Sequence, residues 1–272
     1  MRLVSVGEST IDLYSRHGRS FVGGISLNFA VHARRNGLDS VALISRVGSD
    51  VEADRVLNEL SKQGVLTEFV APVNGATATC VIHVNDEGER SYPEGGYHRN
   101  ILDKFELTPC ELQFIGDQDV LVTMIDRSSP FRFVPLLLSS QFDNFRVADF
   151  GDWQDYCSNW SEITVYARFL DLLFISGNEQ TIDYLAPFTE KYDGAIVVTL
   201  GAEGSAAVHR SLVSRQRAIP LPRIVDTTGC GDAFQAAFLV SYLTDRDVPM
   251  ALLKGAECAS EVASYLGSFR QE

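Results

Sequence analysis

An open, doubly wound α/β fold is what this 272-residue sequence predicts, with a mostly parallel sheet flanked by helices and a small antiparallel β flap. Three observations carry that expectation. Short apolar runs recur along the chain and are continuous rather than alternating, as in strands buried on both faces. Segments with helical periodicity lie between several of them. Two stretches, 8–24 and 76–95, break the rhythm and fit no β–α–β crossover.

Taken in order, the strand-like runs are Leu3–Gly7, Val41–Ser45, Val120–Met124, Arg146–Phe150, Leu172–Ser176 and Ala195–Leu200. Residues 26–36 read as a helix stopped at Gly37. Residues 52–63 set Val56, Leu57 and Leu60 on one stripe, and Gly64 closes that segment as a C-cap. Residues 8–24 run from the first strand to Gly23-Gly24 without helical periodicity. Residues 76–95 alternate like a hairpin around Asp86-Glu87-Gly88. Together these two stretches predict a lid over one edge of the sheet. Without repeats, linkers or low-complexity tracts, 1–272 reads as one embellished domain.

Composition removes several functional classes. Hydrophobic residues at 45% and charged residues at 22% exclude wholesale disorder. A net charge of −13, with only four lysines, leaves no dense cationic surface for nucleic acid or anionic membranes. Cys80, Cys110, Cys157, Cys230 and Cys258 form no C-x-x-C pair, which argues against a zinc cage and a disulfide framework. The five histidines show no metal-ligand spacing. The N-terminus meets acidic residues within eight positions and lacks a signal-peptide core, so the expectation is a reduced, cytoplasmic protein.

The segment Arg223–Leu239, RIVDTTGCGDAFQAAFL, carries the chemistry. A β-branched run enters Asp226-Thr227-Thr228, then Gly229-Cys230-Gly231, and Asp232 opens an apolar helix. Small residues before a helix let backbone N–H groups converge on an anion, with the helix N-terminus adding partial positive charge. Asp232 reads in two ways, as an ordinary helix cap or as a base. A carboxylate aimed at an anion site is unfavourable unless it works there, as a base on an attacking hydroxyl does. Cys230 reads either as a small filler or as a thiol activated by the helix end.

DTTGCGDAF resembles the D-T-x-G-A-G-D signature of the PfkB/ribokinase family of carbohydrate kinases, with Cys230 in place of the usual Ala. Gly7-Glu8 with Asp12, Gly23-Gly24-x-x-x-Asn28-x-Ala30 followed by Gly37, Gly48-x-Asp50, Gly64-Val65 and VTLGAEGS at 198–205 also fit, in register. The resemblance implies a ribokinase-like fold and an ATP- and Mg²⁺-dependent kinase. In it Asp232 is the base and the amides of Gly229, Cys230 and Gly231 form the anion hole. Asp12, Gly24 and Asn28 bind the acceptor's hydroxyls, with Glu94 on the flap reading as either an acceptor contact or an exposed turn. Thr199, Gly201 and Gly204 line the nucleotide site, and Asn178 is carried over toward the metal–phosphate site. For many relatives it also implies a monovalent cation, K⁺, near Asp226 and Thr228.

One departure stands out: the family's N-x-x-E pattern meets Asn178-Glu179-Gln180-Thr181, with Thr181 where Glu is usual. The short chain, Tyr92-Pro93-Glu94-Gly95 and Ala148–Asp152 resemble fructoselysine 6-kinase and its neighbours, which favours a fructoselysine- or fructose-like acceptor. The alternatives are a nucleoside kinase of the same fold and a binding relative impaired in catalysis. A dehydrogenase fails because Gly7 is followed by Glu8-Ser9-Thr10, and no P-loop motif occurs. An exposed apolar flap face would favour a homodimer.

Overall fold

The computed structural model describes residues 1–125, 131–156, 161–192 and 194–271. Cys157 lies outside them. In chain order the elements are β1 (Arg2–Val6), β2 (Thr10–Tyr14), β3 (Arg19–Gly23), α1 (Ile25–Arg35), β4 (Ser40–Val47), α2 (Val51–Lys62), β5 (Leu66–Pro72), β6 (Thr79–Val81), β7 (His83–Val84), β8 (Arg90–Ser91) and β9 (Tyr97–His98). There follow α3 (Pro109–Gly116), β10 (Val120–Met124), α4 (Val134–Ser139), β11 (Phe145–Asp152), α5 (Ser161–Ala167), β12 (Leu172–Ser176), α6 (Glu179–Leu185), β13 (Ala195–Thr199), β14 (Ser205–His209), β15 (Leu212–Gln216), α7 (Cys230–Asp245) and α8 (Val248–Val262).

The large sheet runs β15-β14-β13-β12-β11-β10-β1-β4-β5. From β5 to β13 its neighbours are parallel; β14 and β15 close one edge antiparallel. The continuous apolar runs have a direct cause. Val41 and Leu43 of β4 face one core while Ala42 and Ile44 face the other, and β12 and β13 divide their side chains in the same way. Helices α1, α2, α7 and α8 pack on the first face, α3 to α6 on the second. Helix α7 is buried from Asp232 to Val240, so it is apolar all round rather than striped. Chain order reverses at β1, between β10 and β4, which puts a topological switch point at its C-terminal end.

The lid is a separate four-stranded sheet, β3-β2-β6-β9, with β7 and β8 forming an adjoining hairpin. It is antiparallel at β2/β3 and β6/β9, but β2 and β6 join in parallel because the two segments arrive from different parts of the chain. The lid also runs beyond 95, since β9 lies at Tyr97–His98. Tyr14, Phe21, Ile82 and Val84 are buried against Cys80 and Leu266. These apolar side chains of the flap are therefore turned inward. Among the described residues, no helix is long and apolar enough to cross a membrane.

Candidate active site

Two helix N-termini meet at the switch point. Helix α7 begins after Gly229, which is its N-cap in the left-handed conformation (φ 77°) and supplies no side-chain cap. Asp232 is thus the third helical residue, and its carboxylate turns away from its own helix. Its Oδ2 accepts from Asn28 Nδ2 of helix α1 at 2.8 Å. That contact excludes the cap reading. Burial, its largest influence, pushes the Asp232 pKa up to about 8; the Asn28 hydrogen bond and Arg90 oppose this, while Asp149 and Glu8 add to it.

Asp12 lies on the flap strand β2, and Glu8 acts electrostatically on both Asp12 and Asp232. Thr10 Oγ1 donates to its Oδ1 at 2.9 Å. Burial again dominates, Thr10 opposes, and Glu8 and Asp226 add, so its pKa rises to about 7. Glu8 is fixed by Ile25 N at 3.0 Å and by the Tyr97 hydroxyl. A Cβ at Gly23 would lie 2.1 Å from Asp12 Oδ2, so that glycine makes room for the carboxylate. Gly24 presses on the β1–β2 link, where a Cβ would come within 3.1 Å of Ser9, Glu8 and Thr10 backbone atoms. It positions the start of α1 through backbone packing.

The small-residue segment divides its tasks. A helix's first turn leaves N–H groups without intrahelical partners. At Gly231 a Cβ would meet nothing within 4 Å, so no side chain crowds that side of the turn. Cys230 N, by contrast, leans on Thr227 O at 3.3 Å, so it is the weakest of the three expected anion donors. Burial pushes the Cys230 thiol up to about 12, so it stays protonated at neutral pH despite the helix end. A Cβ on Gly229 would strike Ser268 Cβ at 2.4 Å. Its glycine is required by the C-terminal segment and by its positive φ as much as by any anion.

Asp226 is fully buried and already accepts from Thr228 N at 2.9 Å, Tyr14 Oη at 2.7 Å and Gly267 N at 2.8 Å. Thr228 Oγ1 is buried without a hydrogen-bond partner. A cation at Asp226 would have to share the carboxylate with three protein donors. Through those bonds Asp226 also ties the flap, the loop before α7 and the C-terminal segment together.

Toward the other end of the sheet, Thr199 ends β13 and its Oγ1 is 3.0 Å from Ser176 Oγ. Gly201 (φ 57°) opens onto free space, whereas Gly204 abuts Gln216 O, where a Cβ would come to 2.1 Å. Gly204 thus serves the β13–β15 edge. Asn178 caps α6: its Oδ1 accepts from Thr181 N at 3.1 Å, and its own N donates to Thr181 Oγ1 at 3.1 Å. Thr181 thereby completes a capping box. Glu179 is held elsewhere, by Arg215 at 2.5 Å. Glu94 sits exposed on the Pro93–Gly96 turn.

Sequence reasoning missed Arg90. Its N donates to Thr227 Oγ1 at 3.0 Å and its Nη1 to Thr227 O at 3.1 Å, while Thr227 N donates to Gly88 O at 2.9 Å. The β7–β8 hairpin thus clasps the anion-hole loop and brings a cation near Asp232. An arginine in the polar tip of a flap, in so acidic a chain, was the available signal.

A helix-borne carboxylate, a turn of small residues and a lid over a switch point form the frame of a phosphoryl-transfer enzyme. The model of the pfkB family carbohydrate kinases matches residues 2–121 and 167–270. The chain belongs to that family. It is a carbohydrate kinase, a phosphotransferase acting on a sugar hydroxyl. It is 26% identical to the fructoselysine 6-kinase of Escherichia coli (strain K12) over 270 residues, covering 98% of this chain and 99% of that one. It is 27% identical to the fructosamine kinase FrlD of Bacillus subtilis (strain 168), covering 99% and 93% respectively. The structure of a probable sugar kinase from Rhizobium etli CFN 42 superposes with a TM-score of 0.82 at 18% identity, covering 98% of this chain and 94% of the other. This pfkB kinase therefore has the ribokinase-like fold.

Proposed function

We propose that this pfkB kinase transfers the γ-phosphoryl group of ATP to a hydroxyl of a fructosamine-type sugar, with Asp232 as general base. The observation that carries the reading is the buried Asp232 carboxylate, held by Asn28 across two helix N-termini and not by its own helix. Its pKa near 8 suits a base that must take a proton at mildly alkaline pH. The amides of Gly229 and Gly231, with weaker help from Cys230, and the α7 dipole stabilise charge on the transferring group. Arg90, clasped to Thr227, adds a cation at the same place. The nucleotide extends along the edge marked by Asn178, Thr199 and Gly201. Strands β1 and β12 are three places apart, about 14 Å, which leaves room for a triphosphate between the two ends.

Mg²⁺, when bound with the nucleotide, would offset the phosphates' negative charge. Among the described residues no group of three His, Cys, Asp or Glu side chains forms a cage for it, and Asn178 Oδ1 is engaged as a cap. Asp12 and Asn28 face the acceptor. A fructosamine carries a protonated secondary amine, which the Glu8–Asp12 pair of carboxylates favours over a neutral sugar. Full-length similarity to a fructoselysine 6-kinase and a fructosamine kinase supports the same class.

The test is ATP consumption with Mg²⁺ across fructosamines, fructose, ribose and nucleosides. We expect kcat/KM for a fructosamine to exceed every neutral sugar and nucleoside by tenfold or more. A nucleoside as best acceptor, or acceptor-independent ATP loss throughout, would overturn the assignment.

A further inference from the structure

The last described residues pass directly beneath the base. Ser268 is fully buried, and its Oγ donates to Asn28 Oδ1 at 2.8 Å. The same Asn28 amide donates through Nδ2 to Asp232. Hydroxyl, amide and carboxylate thus form one relay, with every dipole aimed at the carboxylate. From this geometry we infer that Ser268 is a positioning residue for phosphoryl transfer, locking the Asn28 amide with its N–H toward Asp232; the inference rests on the reading of Asp232 as the base.

Ser268 is itself held on every side. Its carbonyl oxygen is 2.8 Å from His32 Nε2, one turn along α1 from Asn28. His32 is 2% exposed, and burial pushes its pKa down to about 4, so the neutral ring donates this bond at physiological pH. Gly267 N ties the preceding residue to Asp226 at 2.8 Å. Phe269 is fully buried, and Gln271 pairs with Val22 through both N and O, at 2.9 and 2.6 Å. The strap is anchored at both ends, so the hydroxyl has little freedom to leave Asn28.

An amide is nearly symmetric in shape, so packing alone does not decide which end of Asn28 meets Asp232. A fixed donor on the far side decides it. Removing that donor leaves Asn28 Oδ1 buried without this partner, which is unfavourable and weakens the orientation that favours ionised Asp232. The other groups acting on Asp232 stay in place: Glu8 after β1, Arg90 on β8, Asp149 on β11 and Cys230 on its own helix. The expected change is a rise in the Asp232 titration.

Two readouts test this in the full-length protein. One is the carboxyl ¹³C titration of Asp232, assigned by its loss in Asp232→Asn. The other is the pH profile of kcat with a fructosamine acceptor. Ser268→Ala should move the Asp232 titration up by about half to one unit and carry the acidic limb of kcat with it. Turnover at pH 7 should fall three- to tenfold and recover above pH 9, with both KM values within twofold. Ser268→Cys keeps the bulk and offers only a weak donor, so it should shift the limb in the same direction. A rate lowered equally at all pH values, or an unmoved titration in either variant, would overturn the positioning role. If Asp232→Asn retains turnover, the base assignment fails, whereas an unmoved titration refutes the relay itself.

Discussion

Asp232 is costly to the fold where it is ionised yet is the proposed base of the reaction, and that opposition makes it testable. Its folded pKa, about 8, lies above the ordinary carboxylate value of 3.8, so the native state holds its proton more tightly than the unfolded chain. Its contribution to stability is full below pH 3.8 and is lost as pH rises through 8. Asp232→Asn should therefore raise Tm, more at pH 8.5 than at pH 5, while turnover falls roughly 10²–10⁴-fold. Thermal melts at both pH values, beside a rate assay, check this; a variant that is less stable at pH 8.5 and fully active contradicts both halves. Cys230→Ala should be nearly silent, and wild-type Cys230 should resist alkylation at pH 7.5, since its thiol is pushed up to about 12. Rapid labelling with loss of activity would reverse that assignment. At Asp226 three donors already occupy the carboxylate. Rates in KCl and NaCl at equal ionic strength should then agree within twofold, and fivefold activation by KCl would show that a cation displaces those donors.

At the scale of elements, legibility followed the locality of the cause. Strands β1, β4, β10, β12 and β13 were readable because each splits its side chains between two cores, which writes an unbroken apolar run into the sequence. Helix α2 was readable from its stripe and its cap. The Gly48-x-Asp50 motif proved to be a joint: Asp50 Oδ1 caps Ala53 N at 3.0 Å and takes the Thr77 hydroxyl at 2.6 Å, while Oδ2 takes Thr77 N at 2.8 Å. One aspartate thus starts α2 and roots the second lid segment. The β14–β15 hairpin was not readable, because its turn places Arg210 and Ser211 at φ 48° and 61° without the glycine or asparagine that marks such turns. Nor was the β2–β6 pairing, which joins segments about 70 residues apart. The Arg46–Glu111 pair is another non-local tie, bidentate at 2.7 and 2.9 Å and buried, binding β4 to α3. Glu111→Ala leaves Arg46 uncompensated and also removes the α3 capping box, so it should cost about 3–5 kcal/mol in denaturant unfolding. A loss below 1 kcal/mol would mean that water reaches Arg46.

Across the whole molecule, the site is an agreement among distant segments, and most of its residues were named from motifs while their jobs were not. Asp232, the proposed base, and its helix end were legible because both lie in one stretch of sequence. The clasp of Arg90 on Thr227, the Tyr14–Asp226 bond and the Ser268 relay required the fold, since each joins residues more than 130 positions apart. These ties make lid and anion-hole loop one mechanical unit. Tyr14 and Arg90 belong to different lid segments, yet both grip the loop Asp226–Thr227. Closure over an acceptor should therefore be felt in three places together. Amide exchange should slow in 8–24, in 76–98 and in 224–232 when the true acceptor binds, and less with ATP alone, because a closed lid keeps water from competing for the phosphoryl group. Asp12→Ala should weaken acceptor binding and spare ATP, since Asp12 lies on the lid and the nucleotide edge lies strands away. Arg90→Ala removes the guanidinium bond of the clasp while leaving its two main-chain bonds and Tyr14 in place. It should loosen the coupling, so that acceptor still protects 8–24 but protects 224–232 less. Equal protection of all three segments in Arg90→Ala would show that the guanidinium carries none of the coupling.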